Sequence, residues 1–508
     1  MTLQPASRLD LRLVPAALAA WAVTGAGVAW GLGPALAALS AALGIGWWTA
    51  AHRLGGRYPI LRAAAAGVLG AVVVGAGFGV AAGLRDDAAR HHPISQRFGT
   101  TAWVTVTARE APRQSGPARL MFRAGLVRLA DDEMSGAVTV FAPGIDFGRL
   151  AAGQPARFRA RLSRPTRRDL TVAVLTAVGR PAFGQPSGLQ RAARAVRDRF
   201  SAAAREVLPA DAAAMLPGLV LGDTAAVPAP TTAEFRIAGL THLTAVSGAN
   251  VTIVCGAVLL SGYLLGPRPA VALAGLALVG FVIVVAPGAS VLRAAIMGAI
   301  GLLAVLSGRR RQAIPVLAAT VIAVMATAPQ LAVDLGFVMS VSATAALILV
   351  APVWSARLVG SGWPKPLADV LCVATAAQLA TAPLVAAISG RFSLVSVVAN
   401  LAVALVIPPI TVLGTAAAAV VGLWPAAAGL LIRFTGPELW WLLRVAHAAA
   451  HLPGASVAVP SGWAGVVTVG CAAGTAVLLW RWRWFRLTAA AFLLCALAWS
   501  VSGLVGSP

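Results

Sequence analysis

A chain of 508 residues with 59% hydrophobic and only 11% charged residues cannot cover itself with polar surface, which excludes a soluble enzyme and a disordered chain. The mean hydropathy of +0.83 implies a polytopic membrane protein with a soluble insert. Of the net charge of +23, nearly all from arginine, +11 lies between Arg85 and Glu206, where 21 Arg face 10 acidic residues. That polar segment could meet anionic lipid or nucleic acid.

Residues 11–33 and 34–51 are apolar blocks, and the turn Gly31-Leu32-Gly33-Pro34 predicts a tight helical hairpin between them. A third block covers 63–84. Arg8 and Arg12 precede the hairpin, and Arg53, Arg57 and Arg62 follow it, so both clusters fall on one side. The positive-inside bias assigns that side to the cytoplasm. The first apolar run continues into further spans and reads as membrane segment, not as a cleaved leader. Residues 1–84 are thus expected to form a three-helix membrane segment, and 85–208 to be extracytoplasmic.

Residues 85–187 read as β. Alternating runs at 101–109, 119–127, 137–141, 156–162 and 170–178 are separated by turn signals at 114–117, 131–136, 143–144 and 164–165. Five short strands in so short a segment suit a small OB-like barrel. Residues 188–208 change to a helical pattern. Leu189, Ala193, Val196, Phe200, Ala203 and Val207 share one face, with Arg191, Arg194, Arg197 and Arg205 off it. An amphipathic interfacial helix is expected there.

From residue 241 apolar blocks recur at 241–265, 270–286, 289–307, 313–328, 331–352, 367–388, 394–424, 463–480 and 487–505. About 10–13 spans follow, at about 20 residues each. Arg309, Arg310 and Arg311 mark a cytoplasmic loop, as do the arginines between 481 and 486. Pro408 and Pro409 interrupt 394–424, so a broken or re-entrant element is expected there. The fold class is therefore a polytopic α-helical membrane protein with an extracytoplasmic OB-like insert. Residues 209–460 form the main transmembrane domain and 461–508 a C-terminal transmembrane hairpin. Cys255, Cys372, Cys471 and Cys495 each lie alone in apolar runs and read as buried small residues.

Ionisable and polar residues inside a bilayer are costly and point to function. The candidates are Asp223, His242, Ser247, Asn250, Arg293, Asp334 and Asn400, with Gln378 beside them. A helix over 241–257 would align His242, Val246 and Asn250 along one stripe, unless Gly248 breaks it. Ordinary hydrogen bonds between helices are the competing use of such groups. In the insert, Arg157, Arg159, Arg161, Arg164, Arg167 and Arg168 form the densest basic run, and Trp103, Phe122, Phe141 and Phe158 are the available rings. Basic groups with aromatic rings suit single-stranded nucleic acid. The alternatives are rings that fill the barrel core and arginines that form a solvated edge.

The spaced set Gly222-Asp223, Phe235, Gly239 to His242 and Ala245-Val246-Ser247-Gly248 resembles the signature of the ComEC-type competence proteins, membrane channels for DNA uptake. The resemblance continues through Ser290 to Met297, Asp334 to Ser340, Phe392-Ser393, Asn400, Pro408 and His451-Leu452-Pro453-Gly454. Two departures stand out. Ala249-Asn250 replaces the family's His after Ser-Gly, and no HxHxDH motif occurs among the six His. The resemblance is to the form without a C-terminal metallo-β-lactamase-like domain.

The resemblance implies import of single-stranded DNA through the inner membrane during natural transformation. The seven intramembrane residues would line a channel, and the insert arginines would bind DNA. Single-stranded DNA and membrane lipid are the expected partners, with an external DNA receptor, a separate nuclease and a cytoplasmic ATPase. No enzyme activity, metal or cofactor is expected. No Walker A or other nucleotide motif is present, so the chain is not expected to power transport itself; an ATPase or the proton gradient would act through a partner or through Asp334 or Asp223. Ser247 lacks the GxSG setting of an intramembrane serine protease with His447 or His451. His91 and His92 read as a solvated linker. A secondary transporter of a small solute and a non-transport envelope protein are the alternatives; the former would carry internal repeats of spans, and no convincing one is evident.

Overall fold

The computed structural model describes residues 10–54, 59–110, 112–116, 118–244, 248–285, 289–306 and 313–479, with scattered positions between 482 and 495. Ser247, Arg309, Arg310, Arg311 and most of the block 487–505 lie outside the described residues. The chain divides into two units. One comprises Met1–Ala193 and Ala286–Phe337, the other Arg194–Val285 and Val338–Pro508.

In the first unit, helices Val14–Trp30, Gly33–Leu54 and Pro59–Arg90 pack together. Gly31 ends the first helix in a left-handed conformation, φ 74°, which glycine adopts without steric penalty. The second and third helices approach backbone to backbone. A Cβ on Gly79 would lie 2.8 Å from the carbonyl oxygen of Gly33, and one on Gly83 2.8 Å from the Pro34 ring. Gly79 and Gly83 form the small-xxx-small spacing that permits such contact. The third helix has 32 residues, about 48 Å at 1.5 Å per residue, so it is longer than a hydrocarbon core of about 30 Å. Its last turn, tied by an Asp86–Arg90 ion pair of 2.6 Å, lies beside Gly31. Arg12 and Arg53 lie at the opposite end of this antiparallel bundle.

The third helix leads through a short 3-10 turn into a β domain. His92 caps that turn, its Nδ1 accepting from Ile94 N and its Nε2 paired with the carbonyl of Ser135. The strands are β1 (Thr101–Ala108), β2 (Arg113–Gln114), β3 (Arg119–Leu129), β4 (Asp132–Pro143), β5 (Pro155–Ser163) and β6 (Thr171–Phe183). Sheet order is β1-β5-β6-β4-β3-β2, and β1 also pairs with β3, so five strands close into a barrel. The β4–β6 pair is parallel and the others are antiparallel. These are the five strands expected from alternation, although β4 starts at Asp132, inside the expected turn.

The barrel core is filled by alternation. Ala156, Phe158, Ala160 and Leu162 on β5 are fully buried, while Arg157, Arg159 and Arg161 between them are exposed. Phe147 stands edge-on to Phe158 with centroids 5.1 Å apart, and also contacts Phe122 and Phe183. The helix Gly188–Val207 follows. Its start is a capping box, in which Gln190 Oε1 accepts from Ser187 N and Ser187 Oγ accepts from Gln190 N.

Among the described residues, four helices are long and apolar enough to cross a membrane: Gly67–Arg97, Pro267–Val285, Leu335–Gly360 and Lys365–Ser389. Seven more apolar helices have 10–17 residues. Among the described residues the full-length helices are fewer than the roughly 10–13 spans expected, and within 394–424 proline divides the apolar block. The block 394–424 becomes Ser396–Val403 and Ile407–Val420, bent by 54°, with Pro408 and Pro409 in the first turn of the second piece. In the second unit, strands β7 (Arg391–Ser393) and β8 (Ser456–Ala458) form a short antiparallel ribbon between helices.

Candidate functional site

The outer face of β1 and β5 carries the basic residues singled out from sequence. Trp103 on β1 sits opposite Arg159 on β5, and Thr105 opposite Arg157. The Arg157 guanidinium lies over the Trp103 ring, 5.4 Å from its centroid, a cation–π contact across diagonal neighbours. Trp103 is 47% exposed, whereas Phe122 and Phe158 are in the core and Phe141 is half-buried. Of the four candidate rings, Trp103 is thus the one presented to solvent beside the arginines. Arg164, Arg167 and Arg168 are exposed in the loop from β5 to β6. Arg168 donates to the carbonyl of Trp30 at 3.1 Å, which ties this loop to the end of the first helix.

Elsewhere in the first unit, Arg293 is 5% exposed on the helix Ala289–Leu306. Its guanidinium lies 5.8 Å from the centroid of the Phe337 ring and within electrostatic reach of Asp334. Asp334 precedes the helix Leu335–Leu349 and its Oδ1 accepts from Phe337 N at 2.9 Å, the work of an N-cap. Trp21 stands edge-on to Phe337 at 5.3 Å and donates to the carbonyl of Ala332 at 3.0 Å. The two charges are 41 positions apart in sequence, so periodicity within either helix gives no sign that they lie within electrostatic reach of each other.

In the second unit, Asp223 lies in the turn after the helix Ala210–Leu221, where its Oδ1 accepts from Ala225 N at 3.2 Å. It acts electrostatically on Arg197, whose guanidinium donates to the carbonyl of Val284 at 2.6 Å. Burial lowers the pKa of Arg197 below its ordinary value, and the nearby Asp223 opposes that shift.

No single helix runs from His242 to Asn250 to carry the expected stripe, and Val246 lies outside the described residues. Thr241–Leu243 is a 3-10 turn, and Gly248–Ser261 is a helix. His242 lies in the turn, three positions after Gly239. Gly239, at φ +73°, packs so closely on Ser396 that a Cβ would lie 2.5 Å from the hydroxyl. Ser396 donates to Gln378 at 3.0 Å, and Asn400 donates to the carbonyl of Ser396 at 2.8 Å. Asn250 is buried, donates to the carbonyl of Leu219 at 2.9 Å, and lines a small cavity with Leu243, Ile407 and Thr411. Gln378 and Asn400 thus meet through Ser396, which the sequence reading passed over although it lies one helical turn before Asn400.

Long apolar helices together with a closed polar barrel define a multi-pass membrane protein carrying a β domain. A family model described as "Competence protein" matches residues 219–484, just over half of the chain. The chain belongs to the competence protein family, and a part in DNA uptake fits that membership. No curated protein and no solved structure matches it.

Proposed function

We propose that this protein is an inner-membrane conduit that imports single-stranded DNA during natural transformation. The observation that carries the reading is the β1–β5 face. Three arginines alternate outward on one strand, and an exposed tryptophan lies in register beside them. Phosphates would meet the guanidinium groups while a base stacks on Trp103. The strand order, a β1–β3–β4 meander joined by the parallel β4–β6 pair and closed through β5, supports an OB-like barrel.

An extracytoplasmic barrel follows from charge. It stands at the Gly31 end of the hairpin, tied there by Arg168, while Arg12 and Arg53 mark the other end. The positive-inside bias places that other end in the cytoplasm. The helix Gly188–Val207 is proposed to lie at the membrane surface. Arg293 and Asp334 in the first unit, and Asp223, His242, Ser247, Asn250 and Asn400 in the second, are proposed as polar groups of the translocating machinery. A polyanion passes such groups without being trapped when they are mostly neutral.

The proposed role is conduction, not catalysis. A cytoplasmic ATPase would supply the energy, a separate nuclease the single strand, and an external receptor the first capture. The test is deletion of the gene followed by uptake of labelled DNA. Uptake should be lost and restored by the intact chain, but not by Arg157→Glu/Arg159→Glu/Arg161→Glu. Undiminished DNA uptake with altered accumulation of a small solute would favour a secondary transporter instead.

A further inference from the structure

We propose that Glu234, His447 and His451 form a binding site for a divalent transition-metal ion, with Zn²⁺ the best chemical fit. One ligand atom from each side chain lies within 4.8 Å of the other two. Glu234 belongs to the helix Ala229–Ile237, and both histidines to the helix Gly436–His451. These two helices pack against each other in the second unit.

The histidines sit one turn apart, so their rings project from one helix face. Their centroids are 4.1 Å apart at an interplanar angle of 38°. His447 Nδ1 is 2.9 Å from Glu234 Oε1, which draws the carboxylate to the same point. His451 Nδ1 is 2.8 Å from the carbonyl of His447. A carbonyl can only accept, so Nδ1 carries the proton and Nε2 keeps its lone pair for a metal. This is the outer hydrogen bond by which metal-binding histidines are held in one tautomer.

Two imidazoles and one carboxylate suit Zn²⁺, with donors at about 2.0–2.1 Å and a fourth position left for water. Tetrahedral donors at that distance stand about 3.4 Å apart. Rotation of side chains closes the gap, since both histidines are exposed and Glu234 is half-buried. Three oxygen and nitrogen donors of this kind are too few and too soft for Ca²⁺ or Mg²⁺, which take six or more ligands and prefer oxygen. A bound ion would clamp two helices whose ligands are 213 positions apart in sequence.

Co²⁺ is the spectroscopic probe. The full chain is purified in detergent with a tag free of histidine, stripped with chelator and titrated with Co²⁺, then with Zn²⁺ in competition. One Co²⁺ per chain should bind, with the visible absorption of a four-coordinate site, and Zn²⁺ should displace it. Glu234→Gln keeps the side-chain shape, and His451→Ala removes one ligand; each should weaken binding more than about tenfold. His91→Ala/His92→Ala, in the other unit, should leave it unchanged. A wild-type chain that binds no Co²⁺ overturns the site, as does undiminished binding in either Glu234→Gln or His451→Ala. Elution of each variant with the wild-type profile shows that loss of binding is not loss of fold.

Discussion

The guanidinium of Arg293 lies over the ring of Phe337, with 5.8 Å between them. Phe337 is fully buried and is held from another side by Trp21. The arginine is therefore seated on an apolar plate that the N-terminal helix helps to build. Phe337→Ala should cost about 3–5 kcal/mol through the cavity it leaves. Trp21→Phe keeps a ring but removes the donor to Ala332, and should cost about 1 kcal/mol. Thermal unfolding of the detergent-solubilised protein should rank the two in that order, and equal losses would mean that the hydrogen bond, not the ring, holds the plate.

Asp334 has two separable tasks in this arrangement. As a cap it accepts from Phe337 N, and as a charge it acts on Arg293. Asp334→Asn keeps the cap and removes the charge, whereas Asp334→Ala removes both. The cap alone is worth about 1 kcal/mol. If the charge serves DNA import, Asp334→Asn and Arg293→Ala should each abolish uptake at normal abundance in the membrane. Wild-type uptake in Asp334→Asn would assign Asp334 to capping alone.

The exposed face of the barrel leads to a binding prediction. The full chain in detergent should bind single-stranded DNA weakly and without sequence preference. Log affinity should fall with log salt by about 0.7 for each phosphate contact. Arg159→Ala should reduce that slope, because it removes a charge. Trp103→Ala should leave the slope intact and weaken binding by about 1–3 kcal/mol, the worth of one stacked base. Preference for duplex DNA, or binding indifferent to salt, would argue against this face.

The barrel was legible because its signal is local. Alternation along β5 separates Phe158 from Arg157 and Arg159 whatever lies around it. Register was not legible: nothing in the sequence says that Trp103 sits opposite Arg159 and not Arg161. The membrane helices show the reverse difficulty. Their apolar blocks are plain, and Pro408-Pro409 signals the break between Val403 and Ile407, but the ends of each helical piece are not legible in a continuous apolar run. The polar residues could be named one at a time, yet their partners come from distant segments. Asn250 bonds to a main-chain carbonyl at Leu219, and Ser396 links Asn400 to Gln378. Glu234 escaped notice because it reads as an ordinary exposed acid until the fold sets it beside His447.

Orientation can be read with cysteine. Cys471 and Cys495 are exposed and would first be replaced by serine. Gln114→Cys, on the exposed β2 strand, should then react with an impermeant maleimide in intact cells. Arg53→Cys, at the opposite end of the hairpin, should react only after the membrane is opened. The reverse pattern would put the barrel in the cytoplasm and remove it as a first contact for incoming DNA.

The N-terminal bundle supplies a test of packing with a built-in control. Gly79 faces Gly33 so closely that a Cβ would lie 2.8 Å from the Gly33 carbonyl oxygen and 2.9 Å from the Ala37 Cβ. Gly77, two positions away on the same helix, has nothing within 4 Å of its Cβ position. Backbone cannot yield as a flexible side chain can, so Gly79→Ala must push the two helices apart. Overpacking of this kind costs about 1–3 kcal/mol. Gly77→Ala meets open space and replaces a poor helix former by the best one, so it should be neutral or slightly stabilising. Thermal unfolding in detergent should therefore fall for Gly79→Ala and hold or rise for Gly77→Ala. Equal behaviour of the two variants would mean that the close approach of Gly33 and Gly79 does not hold the hairpin on which the barrel stands.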